Sequence, residues 1–301
     1  MRSEPKTQGL FHVASPAKVT LHLRILRRLR NGHHAVRILL APVSVYDRLS
    51  FALGGPAGVS LTVQSPEPLG AVEDNLVLRA ARAFASAAGR PLGAALRLEK
   101  HIPAGAGLGG GSGNAAATLL ALNRWCGHPV GPQRMHALAR ALGADVPFFL
   151  APRPAWAEGE GELLRPVAAL PPLALLIVKP PVSIGTGGAY AMARAEAAGG
   201  PAPAREPDLR SVAGVAAGLF NAFEPALFPA YPVLGQLKAA LLGAGAQGAL
   251  LSGSGSAVFG LFADAPARDA AAAALADRAG REGWRLLPCH TLRAHRYDLV
   301  F

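Results

Sequence analysis

Pro103-Ala104-Gly105-Ala106-Gly107-Leu108-Gly109-Gly110-Gly111-Ser112-Gly113-Asn114 is the stretch on which the fold turns. Before it, residues 94–99 alternate apolar and polar as a half-buried strand does. After it, Ala115, Leu119, Leu122 and Cys126 recur at helical spacing until Gly127 and Pro129. A glycine-rich connection from strand to helix gathers free backbone N–H groups and the positive end of a helix dipole at one point, and glycine lets the backbone come close to a ligand. Phosphate is the natural guest. One helix end contributes only ~0.3–2 kcal/mol, so a triphosphate needs several N–H donors acting together.

Spacing separates this run from two other phosphate motifs. Gly105, Gly107 and Gly110 fit G-x-G-x-x-G, but the next acidic residue is Asp145, well beyond the roughly 20 residues expected for a ribose-binding carboxylate. A Walker loop ends in Gly-Lys-Ser/Thr, and the run has no lysine. On these residues alone, a plain glycine-rich connector stays open.

Upstream, Val19, Leu21, Leu23 and Ile25 alternate with Lys18, Thr20, His22 and Arg24, which predicts a strand with one core face and one polar face. Lys18 and Thr20 emerge on the same side about 7 Å apart, placed either to touch one substrate or to face solvent. Asn31-Gly32 signals a hairpin turn, and residues 34–45 and 48–53 read as further strands. Asp74 is the expected cap of a helix over 75–88. Pro132 opens another helix, Gly143 stops it, and Asp145 follows in Gly143-Ala144-Asp145-Val146-Pro147, by itself an ordinary turn aspartate.

Periodicity lapses over 151–172, which predicts a boundary dividing 1–165 from 166–301. Beyond it come a strand at 173–179, a helix at 188–197, a Pro-rich loop at 199–207 and a helix at 231–242. A strand at 248–251, the Gly253-Ser254-Gly255-Ser256 turn, a strand at 257–262, a helix at 265–281 and a strand at 284–287 complete an α+β sandwich.

Composition narrows the classes. With 301 residues, 51% hydrophobic and 16% charged, the chain is long enough for two domains and too apolar for disorder. Residues 1–9 lack the apolar stretch of a secretory signal and the best apolar run, 173–178, is too short for a bilayer, so a cytoplasmic protein without a membrane partner is expected. Two cysteines, Cys126 and Cys289, exclude a disulfide framework and a four-thiolate zinc site, and the histidines show no metal-ligand spacing. A net charge of +11 suits a polyanion, but Arg24, Arg27, Arg28, Arg30 and Arg37 have no interleaved aromatics to stack single-stranded bases. A solvated basic edge, or attraction of a small phosphorylated ligand, is the expectation, and no nucleic acid.

Pro16-Ala17-Lys18, Asn31-Gly32-His33-His34, Ile102-Pro103 through Asn114-Ala115-Ala116, Gly143-Ala144-Asp145-Val146-Pro147 and Leu251-Ser252-Gly253-Ser254-Gly255-Ser256 occur in the order found in the GHMP kinase superfamily. Within it the chain most resembles the 4-diphosphocytidyl-2-C-methylerythritol kinase family. Glu158-Gly159-Glu160-Gly161-Glu162, Val182-Ser183-Ile184-Gly185-Thr186 and Asn221-Ala222-Phe223-Glu224 add to the likeness. The resemblance implies a two-domain α+β fold, with an N-terminal nucleotide-binding α/β domain and a C-terminal ferredoxin-like α+β sandwich. It also implies ATP-dependent phosphorylation of the 2-hydroxyl of a cytidine diphosphate derivative of methylerythritol, a step of non-mevalonate isoprenoid synthesis, by a monomer or weak homodimer.

On that resemblance ATP would lie on residues 103–113 with Mg²⁺, whose protein ligands stay unassigned, and Asp145 would be the base with Lys18 as its cationic partner. Thr20, Thr186, His33, His34 and Tyr190 would hold the second substrate, the cytosine lying between His33 and Tyr190 while His34 hydrogen-bonds its edge. Glu158, Glu160 and Glu162 would be hairpin-turn residues rather than metal ligands. Three positions depart from the family pattern: His33-His34 stands for Tyr-His, Thr20 for Asn, and Gly113 for a second Ser. A kinase for homoserine, mevalonate or a sugar alcohol is the alternative, and a basic nucleic-acid-binding protein the remoter one.

Overall fold

Two antiparallel 20-residue strands, β1 (Gly9–Arg28) and β2 (His34–Leu53), form the spine of the first sheet. The computed structural model describes residues 9–30, 33–168, 170–196 and 206–300, so the Asn31-Gly32 turn and most of the 199–207 loop lie outside the described residues. The two strands expected at 34–45 and 48–53 are one. Register shifts at Pro16/Ala17, Thr20/His22 and Ile25/Arg27 let the long pair bend without breaking.

β3 (Gly58–Gln64), not marked in the sequence, is the parallel edge strand. Asn75, not Asp74, caps α1 (Leu76–Ala88), its side chain accepting from the Val77 N–H at 2.9 Å, while Asp74 belongs to a preceding 3₁₀ turn. β4 (Gly93–Glu99) leads into the glycine run and α2 (Gly110–Trp125), followed by α3 (Pro132–Leu142) and the short α4 (Val146–Phe149). A hairpin of β5 (Ala155–Glu158) and β6 (Leu163–Pro166) pairs onto β2, with the expected acidic turn at its tip.

The remaining elements are β7 (Ala174–Lys179), α5 (Thr186–Glu196), α6 (Val212–Ala217), β8 (Phe220–Asn221), α7 (Glu224–Ala230), α8 (Pro232–Gly243), β9 (Gly248–Leu251), β10 (Val258–Phe262), α9 (Ala265–Glu282) and β11 (Arg285–His290). The first sheet runs β3-β4-β2-β1-β8, so a two-residue strand from far along the chain closes its edge. The second is antiparallel in the order β11-β7-β10-β9, the ferredoxin-like arrangement.

Helices α1 and α2 bury Phe84 and Leu119 with Phe11 and Phe51 of the first sheet, whose rings stack at 4.9 Å. Leu234, Leu237 and Phe262 centre a second core. A third draws on both sheets, Val19, Leu21 and Leu39 packing with Leu175, Ile177 and Phe259, and it takes in Ile102, Ala106 and Leu108. The apolar residues of the glycine run are thus anchored where the two sheets meet.

The polar face of β1 does not look onto solvent: Lys18 is 5%, Thr20 1% and His22 0% exposed. Burial lowers the His22 pKa from 6.5, against the raising effect of the 2.9 Å bond from its ring to the Gly218 carbonyl. As pH falls through about 6.5 the unfolded chain takes up this proton first, so the folded state loses stability, by up to about 1.4 kcal/mol per unit of pKa difference. His22→Gln is expected to flatten the loss between pH 7.5 and 5.5 in urea unfolding. An unchanged slope would place that titration elsewhere, for instance at His295, which burial lowers too.

Candidate active site

The glycine run is sewn to both sheets. Lys18 N donates to the Leu108 carbonyl at 2.9 Å, while Ser256 N and Ala257 N donate to the Gly105 and Ala106 carbonyls, each at 3.2 Å. Gly107 has φ +71°, and a Cβ there would lie 1.9 Å from the Ser252 carbonyl oxygen. Ser252 Oγ in turn donates to the Gly107 carbonyl at 3.1 Å and accepts from Thr20 N at 3.3 Å. Glycine at 107 therefore lets the loop lie directly against the 252–255 turn.

Beside this loop lies a cavity of about 500 Å³ lined by residues 103–112, by Lys18, Thr20 and Asp145, by Thr186 and Tyr190, and by residues 253–255. Lys18 Nζ donates to Thr20 Oγ1 at 3.1 Å and stands 3.7 Å from Asp145 Oδ2. Asp145 precedes α4 without using its side chain as a cap, and that side chain is 42% exposed. Its carboxylate therefore faces the cavity, oriented by the buried ammonium. The strand, the loop and the α3–α4 turn converge here from positions 127 residues apart, numbering from Lys18 to Asp145.

The chain matches the GHMP kinases N terminal domain over residues 75–152 and the GHMP kinases C terminal domain over 206–281. It is 39% identical over 280 residues to the 4-diphosphocytidyl-2-C-methyl-D-erythritol kinase of Syntrophotalea carbinolica, covering 90% of this chain and 95% of that one. Identity to the kinase of the same name from Pelotomaculum thermopropionicum is 41% over 253 residues, covering 82% and 88%. The chain belongs to the 4-diphosphocytidyl-2-C-methyl-D-erythritol kinase family. A crystal structure of a 4-(cytidine 5'-diphospho)-2C-methyl-D-erythritol kinase superposes with a TM-score of 0.79 at 39% identity, covering 93% of this chain and 98% of the other. Homoserine kinase from Cytophaga hutchinsonii superposes at 0.70 with 19% identity, which speaks for the GHMP fold alone.

For a member of this kinase family the rings around Tyr190, which lines the cavity, differ from the expected layout. His34, not His33, lies on Tyr190, with ring centroids 5.1 Å apart and planes at 14°, and Tyr190 meets Phe223 edge-on at 4.9 Å. His33 precedes β2, points to the β5–β6 hairpin and pairs with Glu160 at 3.1 Å, its side chain 67% exposed. Strand alternation from His34 onward decides which ring reaches α5. Burial, aided by the charge of Asp145, pushes the Tyr190 hydroxyl up to about 12, so it remains a donor at neutral pH. Thr186 sits at the rim, its hydroxyl 3.2 Å from Ser254 Oγ.

A Cβ on Gly113 would meet Ser15 Oγ at 2.8 Å and the Pro16 carbonyl at 3.0 Å, so the packing here leaves no room for the second serine expected at that position. Asn221 and Glu224 act behind the site. Asn221 Nδ2 donates to the Leu251 and Gly253 carbonyls, both at 2.8 Å, and Glu224 accepts from Leu251 N at 2.9 Å, so the motif holds the turn that touches the glycine run. Lys100, at the end of β4, also lines the cavity and was not picked out from the sequence, nor was its buried partner Asp47. Among the described residues no helix is long and apolar enough to cross a membrane.

Proposed function

We propose that the protein transfers the γ-phosphate of ATP to the 2-hydroxyl of 4-diphosphocytidyl-2-C-methyl-D-erythritol. The observation that carries this reading is the Lys18–Asp145 pair, 3.7 Å apart beside the glycine run in a single cavity, in a chain 39% identical over most of its length to kinases of that name. Residues 1–165 supply the phosphate loop and both charged groups, and 166–301 close the cavity with Thr186, Tyr190 and the 253–255 turn.

In this mechanism the amides of residues 103–113 and the first turn of α2 hold the phosphates. Asp145 orients the acceptor hydroxyl and takes its proton late, because the transition state of phosphoryl transfer is loose. The new bond joins the substrate oxygen to the γ-phosphorus, the bond to the β–γ bridging oxygen breaks, and ADP leaves. Lys18, held by Thr20, attracts the negative charge that develops on the attacking oxygen. Mg²⁺ bound with the triphosphate would neutralise charge between the β- and γ-phosphates. Among the described residues no group of three or more His, Cys, Asp or Glu could cage a metal. Asp74 and Asp145 are the carboxylates lining the cavity, which fits an ion that keeps phosphate and water oxygens and takes one or two carboxylates.

ADP release with the cytidine substrate, set against homoserine, mevalonate and simple sugar alcohols, tests the reading. Turnover is expected with the cytidine compound alone, and comparable turnover with a small alcohol would overturn the acceptor. With His34 against Tyr190, the base-binding shelf is built from those two rings. His34→Ala is expected to raise KM for the cytidine substrate about two- to twelvefold, the equivalent of ~0.5–1.5 kcal/mol of ring contact, and to leave KM for ATP alone. An unchanged cytidine KM would remove His34 from the shelf.

A further inference from the structure

We propose that Asp47 is a positioning residue that sets the affinity of the site for ATP by clamping both ends of the glycine run. The inference rests on the kinase reading above. Asp47 lies on β2, is 0% exposed and does not line the cavity. Both its oxygens are used. Oδ1 accepts from His101 N at 2.7 Å and Ile102 N at 2.8 Å, where the chain enters the run. Oδ2 accepts from Asn114 Nδ2 at 2.8 Å, where the run has become α2, and pairs with Lys100 Nζ. One carboxylate thus ties residues 100–102 to residue 114, and everything between them is the proposed phosphate loop.

A buried carboxylate is costly unless every lone pair is met, and replacing it with apolar groups is often no less stable. Holding the strand in place does not require this charge. What it does do is fix two other groups. Among the described residues Asn114 Oδ1 is buried without a hydrogen bond, so the bond from its Nδ2 to Asp47 is what orients that side chain. Lys100 lines the cavity, and its Nζ stands 3.0 Å from where a Cβ on Gly110 would be, at the start of α2. Asp47 therefore holds an ammonium beside the first helical amides, where the charge of a polyphosphate would rest, without touching the ligand itself.

The test is Asp47→Asn, which keeps the shape but replaces one acceptor oxygen with a donor. Nucleotide affinity is read by calorimetry with a non-hydrolysable ATP analogue, alongside KM for each substrate and thermal unfolding. The expected result is a loss of ATP affinity of about tenfold or more, with kcat at saturating ATP and KM for the cytidine substrate within about twofold of wild type. Equal losses in all kinetic constants, or a lowered Tm with unchanged nucleotide affinity, would overturn the role. Should Asp47→Asn fail to fold, Lys100→Met carries the test: it should weaken the analogue to a similar degree and Lys100→Arg should restore most of it, whereas unchanged affinity in Lys100→Met overturns the proposal. If wild type itself neither binds the analogue nor turns over ATP, the kinase reading falls; if wild type binds and Asp47→Asn binds equally, only the clamp does.

Discussion

Asp145→Asn is expected to lower kcat by about 10²–10⁴-fold while leaving affinity for an ATP analogue near that of wild type, because a proton acceptor is replaced by an amide of the same shape. The split between chemistry and binding follows from the geometry. Asp145 lines the same cavity as the loop, but its charged partner is the Lys18 ammonium, and among the described residues no hydrogen bond joins its carboxylate to the loop amides. Lys18→Met, which fits the same buried channel without the charge, should cut kcat to a comparable extent. The double variant should lose little more, because groups that act as a unit are not additive. Single-turnover phosphoryl transfer with saturating ATP measures both. Near-normal turnover in Asp145→Asn would remove it from the reaction.

Gly107→Ala should abolish high-affinity ATP binding, with a loss of at least about a hundredfold, and lower Tm. Two costs combine. A non-glycine residue at φ +71° is strained by ~1–3 kcal/mol, and the new methyl would stand 1.9 Å from a backbone oxygen. Ser252 cannot step aside cheaply, because the turn is held by Asn221 through Leu251 and Gly253 and by the Ser252–Gly107 bond. Relief must come from the loop, which lifts the amides away from their ligand; crowding of this kind typically costs a further ~1–3 kcal/mol. Analogue binding within threefold of wild type would show that the loop moves freely, and that the contact with the 252–255 turn does not shape it.

Much of this was legible along the chain, and the residues show why. The alternation in β1, the glycine run and the helical spacing after it are local patterns, each set by a few neighbouring residues. The Asp74 cap missed by one residue because Asp and Asn cap equally well and only the backbone at Asn75 is extended, with φ −64° and ψ 129°. The break expected near position 46 was wrong for a different reason. Asp47 interrupts an apolar pattern, and only donors 53 to 67 residues away make its burial inside a continuous strand affordable. Likewise Lys18 and Thr20 read as one polar face, but their burial depends on the loop and the 252–255 turn that cover them.

Sequence by itself determined the strand–loop–helix that gathers amides, the lysine and threonine on one side of β1, and the family. These are properties of spacing and residue type, which a linear chain carries whole. Tertiary structure alone decided that Lys18 and Asp145 come within 3.7 Å, that His34 rather than His33 rests on Tyr190, and that one aspartate fastens both ends of the loop. Each depends on the direction of a side chain across elements distant in the chain, and that direction is set by packing between the two sheets.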